Sequence, residues 1–385
     1  MDLEFSKEQK LIKDEAVKFL KKECPYSKVK ELEETVEGYS SKMWKKMADL
    51  GWLGLYFPKK YGGDGGCFFD LILLEEALGA SVCPSPFFST VIQCGLIIME
   101  SGSDEQKKTL LPKIADGKLI LGLAQYEEDG SYDVADTQTT ARVSGEDYIL
   151  NGTKLFVMDA NIADKLLITA RTEGNKVTVF LVDAKAQGIT ITKMPTIGKD
   201  NNCEVILKQV KIPKENIVGS PGDAERIIEK MNDKATVAKA AEMLGGSKAC
   251  IDMTADYAKQ RIQYGKPIGG FQVIQHYMAN MMIAYDTSHE YLNRIVCKID
   301  EGENFAVDAY ALKANVNEAY KYISERGVQI HGGIGTTREG DVGLFYRKAK
   351  ANEYICGDTE FSYNRVFEKL LSETAASEME DHYER

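Results

Sequence analysis

The feature that most limits what this chain can fold into is a double change of hydrophobic period. Up to about residue 118, apolar residues recur at helical spacing: Ile12, Ala16 and Phe19, then Met43, Met47 and Leu50, then Leu71 to Leu78, Val91 to Met99 and Glu105 to Leu111. Side chains three and four apart share one face of a helix, so this third reads as all-helical. From about Leu119 the period falls to two, with Thr137, Thr139, Ala141 and Val143 alternating with polar neighbours. Short β-rich runs follow at Leu166 to Ala170, Val177 to Val182, Ile189 to Thr192 and Glu204 to Ile212. Such a set fits a small antiparallel sandwich or barrel. From about Asp223 the helical period returns, over Asn232 to Gly245, Ala249 to Gln263, Phe271 to Lys298 and Val307 to Arg326, runs long enough for a bundle. The expectation is an α+β chain in three domains: all-helical over 1–118, β over 119–222, and a four-helix bundle over 223–385.

Local signals refine this outline. Ser6-Lys7-Glu8-Gln9 reads as a capping box. Asn151-Gly152, between Tyr148-Ile149-Leu150 and Lys154-Leu155-Phe156-Val157, is the strongest hairpin signal. Pro58 to Gly66 is a loop on composition, and the acidic tail Glu373 to Asp381 is expected to fray. The formal net charge of −11 argues against nucleic acid as main partner, since phosphates call for basic patches. Eight cysteines without a C-x-x-C pair read as reduced thiols, and four histidines without H-E-x-x-H leave no metal motif. The N-terminus is charged and no run of about 18 apolar residues occurs, so a cytoplasmic location is expected.

The most specific string lies near the C-terminus. A helical stripe of Leu312, Val316, Ala319 and Ile323 leads into Gln329-Ile330-His331-Gly332-Gly333-Ile334-Gly335. Tyr346-Arg347-Lys348-Ala349-Lys350 and Cys356-Gly357-Asp358-Thr359 follow. The glycines alone read as two helix C-caps. The combined string resembles the C-terminal signature of the acyl-CoA dehydrogenase family of flavoproteins. Trp52-Leu53-Gly54, Pro58 to Gly63 and Leu111 to Gly117 are similar to that family's N-terminal helical domain. The resemblance spans essentially the whole chain.

The resemblance implies FAD as cofactor and an acyl-CoA thioester as substrate, oxidised at α,β, with electrons passed to an electron-transfer flavoprotein. A base takes the α proton, the β hydrogen leaves as hydride to the flavin, and donors aimed at the thioester oxygen stabilise the enolate charge. By motif position, the implied flavin contacts are Gln125, Tyr126 and Glu127, with Phe156, Val157 and Met158. Arg261, Gln263, Tyr264, Phe271 and Gln272 match the segment that reaches a neighbouring subunit's FAD. Gln329, Gly332 and Gly333 match a diphosphate segment, and Asp358 and Glu360 follow the usual catalytic position. Implied substrate positions are Asp133, Asp233, Ala235, Thr236, Cys356 and Gly357. A homotetramer, or a heterotetramer with a paralogous subunit, is implied as well.

Three departures from the family pattern stand out. The usual catalytic glutamate position holds Cys356; the alternative base position, followed by an arginine in the family, reads Ala235-Thr236; and Met158 replaces a common threonine. No sequence neighbour of Cys356 is a cation that would favour a thiolate, so the thiol reads as a small filler. Asp358 is a weak candidate base and a structural residue first. Glu353 is expected to face away on the preceding helix. Three functions remain open: a dehydrogenase for an unusual cyclic or branched acyl-CoA, a base-lacking partner subunit of a heteromer, or a flavin oxidase or monooxygenase on the same fold.

Overall fold

The computed structural model describes residues 6–383, side chains beyond 371 excepted. The helices α1 (Lys7–Glu23), α2 (Tyr26–Leu32), α3 (Ser41–Asp49), α4 (Phe68–Ala80), α5 (Leu96–Ser101) and α6 (Asp104–Ala115) come first. The strands β1 (Leu121–Ala124), β2 (Thr140–Ser144), β3 (Asp147–Met158), β4 (Lys165–Arg171), β5 (Val177–Asp183), β6 (Ile189–Lys193), β7 (Asn202–Pro213) and β8 (Ile217–Val218) follow. The chain then forms α7 (Ala224–Gln260), a ribbon of β9 (Ile262–Gln263) and β10 (Lys266–Pro267), and α8 (Gln272–Glu301), α9 (Ala306–His331), α10 (Val342–Glu353) and α11 (Thr359–Tyr383). These elements gather into two compact units. Among the described residues, one comprises those up to Tyr26, Phe68–Cys83 and those from Thr236 on; the other comprises Ser27–Cys67 and Pro84–Ala235.

The second unit is built on one sheet with strand order β6-β7-β3-β2-β4-β5-β8. It is not purely antiparallel as expected, because β1 joins β4 in parallel register, Leu121 opposite Lys165. The segment Phe88–Gly95, which overlaps the helical run expected from Val91 to Met99, is π-helical and pins β1. There the Thr90 hydroxyl donates to Leu121 O and accepts from Leu121 N, both at 3.0 Å. The hairpin expected at Asn151-Gly152 is corrected. Strand β3 runs straight through it, and the reversal lies between Ser144 and Asp147, with Gly145 at φ 64°. Asn151 instead uses Oδ1 to accept from the backbone and side chain of Gln209, at a register shift against β7.

In the first unit the stripe Leu312, Val316, Ala319 and Ile323 is buried as its spacing predicts. The Ser6–Gln9 capping box forms, with Gln9 N donating to Ser6 Oγ at 3.1 Å. The expected break after Gly245 is corrected: α7 is one helix of 37 residues. Gly245 and Gly246 serve packing instead. A Cβ on Gly245 would fall 1.9 Å from Glu76 O, and one on Gly246 2.4 Å from the Tyr320 hydroxyl. The tail expected to fray is drawn as helix to Tyr383. No described helix is long and apolar enough to cross a membrane.

Candidate active site

Cys356 sits at a sharp reversal between α10 and α11, with its backbone in the left-handed region (φ 60°) and 3% of its surface exposed. The sequence offers no adjacent cation, but the fold brings two. Lys313 on α9 is fully buried, and its ammonium donates to Asn317 Oδ1 (2.7 Å), Gly357 O (2.9 Å), Glu353 O (3.0 Å) and Asn352 O (3.2 Å). Lys239 on α7, 3% exposed, pairs with Glu242 one turn later. Burial pushes the Cys356 thiol up to about 11, although Lys313 and then Lys239 pull the other way. The thiol therefore holds its proton at neutral pH despite the cations, because desolvation outweighs them. Burial likewise pushes Lys313 down to about 7, opposed by Cys356 among its neighbours.

The nearby acids have other work. Asp358 caps α11: its Oδ1 accepts from Phe361 N at 2.8 Å, which stabilises an orphan donor at a helix start. Glu353 pairs with Lys350 at 2.8 Å. Glu242 accepts from Asn352 Nδ2 at 3.1 Å. Glu75 on α4 is 1% exposed, and burial, then the charge of Glu242, raises its pKa well above the usual carboxylate range. Ala235 and Thr236 are fully buried on α7, so the alternative base position presents no carboxylate, while Asp233 is half-buried just before them.

In the sheet unit, Glu127 is part of a buried polar cluster rather than a free acid. Its Oε1 lies 2.7 Å from Lys154 Nζ, and it accepts from Gln138 N (2.6 Å) and Thr139 N (3.0 Å). Lys154, fully buried, also donates to Gln125 O and Thr169 Oγ1. Beside this cluster the Gln125 side-chain amide is buried with neither nitrogen nor oxygen paired. Tyr126 stacks edge-on against Tyr132. On β3, Phe156 is 49% exposed at φ 53°, while Val157 is fully buried opposite Cys203 of β7. Met158 is half-buried. Asp133 is exposed, and its side chain accepts from Ala135 N at 2.9 Å.

In the other unit, the ribbon from Arg261 to Pro267 stands in solvent, with Tyr264 91% exposed and packed edge-on to Phe271. Gln263 and Gln272 are exposed too. Gln329, Gly332 and Gly333 are exposed at the end of α9, and open space surrounds the position of a Cβ on either glycine. Gly332 has φ 64°, so a side chain would be strained there. His331 fixes this end: its Nδ1 lies 2.8 Å from Gly327 O, and its ring stacks on Tyr257 at 4.3 Å. Burial lowers its pKa, so the ring is neutral and donates to that carbonyl.

Three family models match: acyl-CoA dehydrogenase N-terminal domain over residues 6–118, middle domain over 122–210 and C-terminal domain over 226–371. The chain belongs to the acyl-CoA dehydrogenase family. It is 30% identical to the probable acyl-CoA dehydrogenase YngJ of Bacillus subtilis (strain 168), covering 96% of this chain and 100% of the relative. It is 31% identical to the caffeyl-CoA reductase-Etf complex subunit CarC of Acetobacterium woodii, over 90% of this chain and 93% of the relative. A structure of an acyl-CoA dehydrogenase complexed with FAD from Bacillus anthracis superposes with a TM-score of 0.92 at 26% identity, covering 97% of this chain and 68% of that one.

Acyl-CoA dehydrogenases are FAD oxidoreductases acting on CH–CH groups, and the three family models between them match segments from residue 6 to residue 371 of this chain. Its residues fit the cofactor. The orphaned Gln125 amide has both a donor and an acceptor to offer, Phe156 presents an open face, and Gly332-Gly333 leave backbone N–H groups approachable. When bound, FAD would supply the hydride acceptor, and the protein's part is to hold, orient and desolvate it. Arg261→Ala is expected to lose FAD while keeping the fold, because a guanidinium fork suits a diphosphate and this one is exposed. Unchanged flavin absorbance in the purified, folded variant would make Arg261 a mere surface cation.

Sequence reasoning missed Lys313, Lys239, Glu75 and Lys154. The usable signal was Lys313 with Asn317, polar residues four apart that directly follow Leu312 and Val316 of the apolar stripe.

Proposed function

We propose that this chain oxidises an unusual acyl-CoA thioester, cyclic or branched, at α,β, and passes the electrons to an electron-transfer flavoprotein. The observation that carries this reading is the corner at 356. A small, protonated thiol stands where the family's usual acid would reach the substrate, and Ala235 fills the alternative position. The smaller side chain leaves room for bulk near the α carbon, and the proton must then leave by another group. Gln125, Tyr126, Phe156 to Met158, Arg261 and Gln329 to Gly333 are the proposed FAD contacts, with Thr236, Cys356 and Gly357 at the substrate. The three matched segments are taken as three domains. The exposed Arg261 ribbon is read as an element that reaches a second subunit's FAD.

The same missing carboxylate supports a second reading, in which the chain is a partner subunit and a paralogue supplies the base. Purified alone, the chain is expected to carry flavin, and a panel of acyl-CoA esters with an artificial electron acceptor decides between the two. Bleaching of the oxidised flavin by a cyclic or branched ester supports the first; a flavin-bearing chain inert to every ester supports the second. Cys356→Ala is expected to keep any activity within about tenfold, about 1.4 kcal/mol of barrier. Cys356→Glu is expected to create or raise oxidation of simple acyl-CoAs. A Cys356→Ala variant that keeps FAD and loses several orders of magnitude in rate would make the thiol the base.

A further inference from the structure

We propose that Lys313 is the positioning residue of the Asn352–Gly357 reversal, the element that delivers position 356 to the acyl thioester in the function proposed above. An ammonium carries three protons, and four oxygens surround this one. Two belong to Asn352 and Glu353 at the end of α10, where the negative end of the dipole lies; Asn352 O also accepts from Ile355 N at 3.2 Å. A third, Gly357 O, lies beyond the corner. One nitrogen therefore ties the chain on both sides of Cys356. The fourth oxygen, on Asn317, comes from the same helix as Lys313 and aims the ammonium.

The chemistry of the cage argues against a packing role. Every hydrogen-bond partner of Lys313 is a neutral oxygen, so no carboxylate in direct contact compensates its positive form, whose pKa burial brings down to about 7. A buried charge without its counter-ion is costly, and an apolar side chain of similar length would fill the same space at lower cost. What an apolar residue lacks is the ability to gather converging carbonyls. The held backbone is itself unfavourable at Cys356, which is left-handed; Gly357 follows at φ 110°, which glycine takes readily. Residues in such regions persist only when their surroundings over-determine them, and they collect at functional corners.

The test uses the FAD-loaded, full-length protein and Lys313→Met, which keeps the stem and removes the donors. Amide exchange in 354–358 is expected to rise at least about tenfold, while the Ala306–Ala319 part of α9 changes by less than about threefold. In the same variant, the flavin band shift that an acyl-CoA thioether induces in the wild type should be lost or strongly reduced. Should Lys313→Met not fold, Asn317→Ala releases one of the four contacts and is read in the same way with a smaller change. Unchanged exchange at 354–358 in a folded variant, or loosening spread evenly along α9, overturns the proposal. Local loosening with an undiminished band shift also overturns it, since the lysine would then be structural only. A wild-type protein whose flavin responds to no thioether sinks the proposed function instead, and hydrogen exchange then decides the role of Lys313.

Discussion

Lys154→Met is expected to destabilise the protein by about 3–5 kcal/mol, because it strands a buried carboxylate without its cation. Lys154 is 0% exposed and Glu127 is 7% exposed, and they meet at 2.7 Å. Burial alone would raise the Glu127 pKa, but Lys154 and the donors at Thr139 overcome it and hold the carboxyl below its usual value. Burial drives Lys154 down to about 8 against the pull of Glu127, so both charges persist at neutral pH. A carboxylate with a depressed folded-state pKa contributes stability that is present above its unfolded pKa and lost as pH falls through the folded one. In Lys154→Met burial prevails, the Glu127 pKa rises, and the deficit against wild type should narrow in acid. Urea titrations at neutral and acidic pH measure both effects. Glu127→Gln combined with Lys154→Met should be less damaging than Lys154→Met alone, which isolates the pairing from the packing. A loss below about 1 kcal/mol for the single variant would place this pair with ordinary surface ion pairs.

Gly245→Ala is expected to cost about 3 kcal/mol, the upper end for overpacking, although alanine is the better helix former by about 1 kcal/mol. At this point α4 and α7 touch through their backbones. A Cβ on Gly245 would meet Glu76 O at 1.9 Å, and one on Gly79 would meet Glu242 O at 1.8 Å. Neither obstacle is a side-chain end that could swing away, so the helices must separate. That separation would also disturb Glu75, Lys239 and Glu242, which sit beside the contact on the same two helices. Thermal unfolding checks the prediction, and a variant as stable as wild type would mean that the crossing is looser than its geometry.

The same glycines show where the sequence was readable and where it was not. Periodicity placed the α9 stripe correctly because burial of one face is a property of a single helix. The Ser6–Gln9 cap formed because all its atoms lie within one turn. Gly245-Gly246 looked like a helix end, since glycine ends helices when nothing else is known; the reason for it lies on another helix. Asn151-Gly152 carried the strongest turn signal in the β region, yet pairing of β3 with both β2 and β7 overrode it. The cation beside Cys356 was hidden for the same reason: Lys313 and the carbonyls it collects are 39 to 44 residues apart. No local window joins them.

The left-handed corner at Cys356 has a consequence for how such a protein changes its chemistry. Glycine would occupy φ 60° without the roughly 1–2 kcal/mol that a Cβ costs there, yet a side chain is retained. The path of the backbone is held from outside, by a lysine on another helix, so the group mounted on it is free to vary. Exchange of a single side chain there changes which group can take a proton at that corner, with the backbone path unaltered.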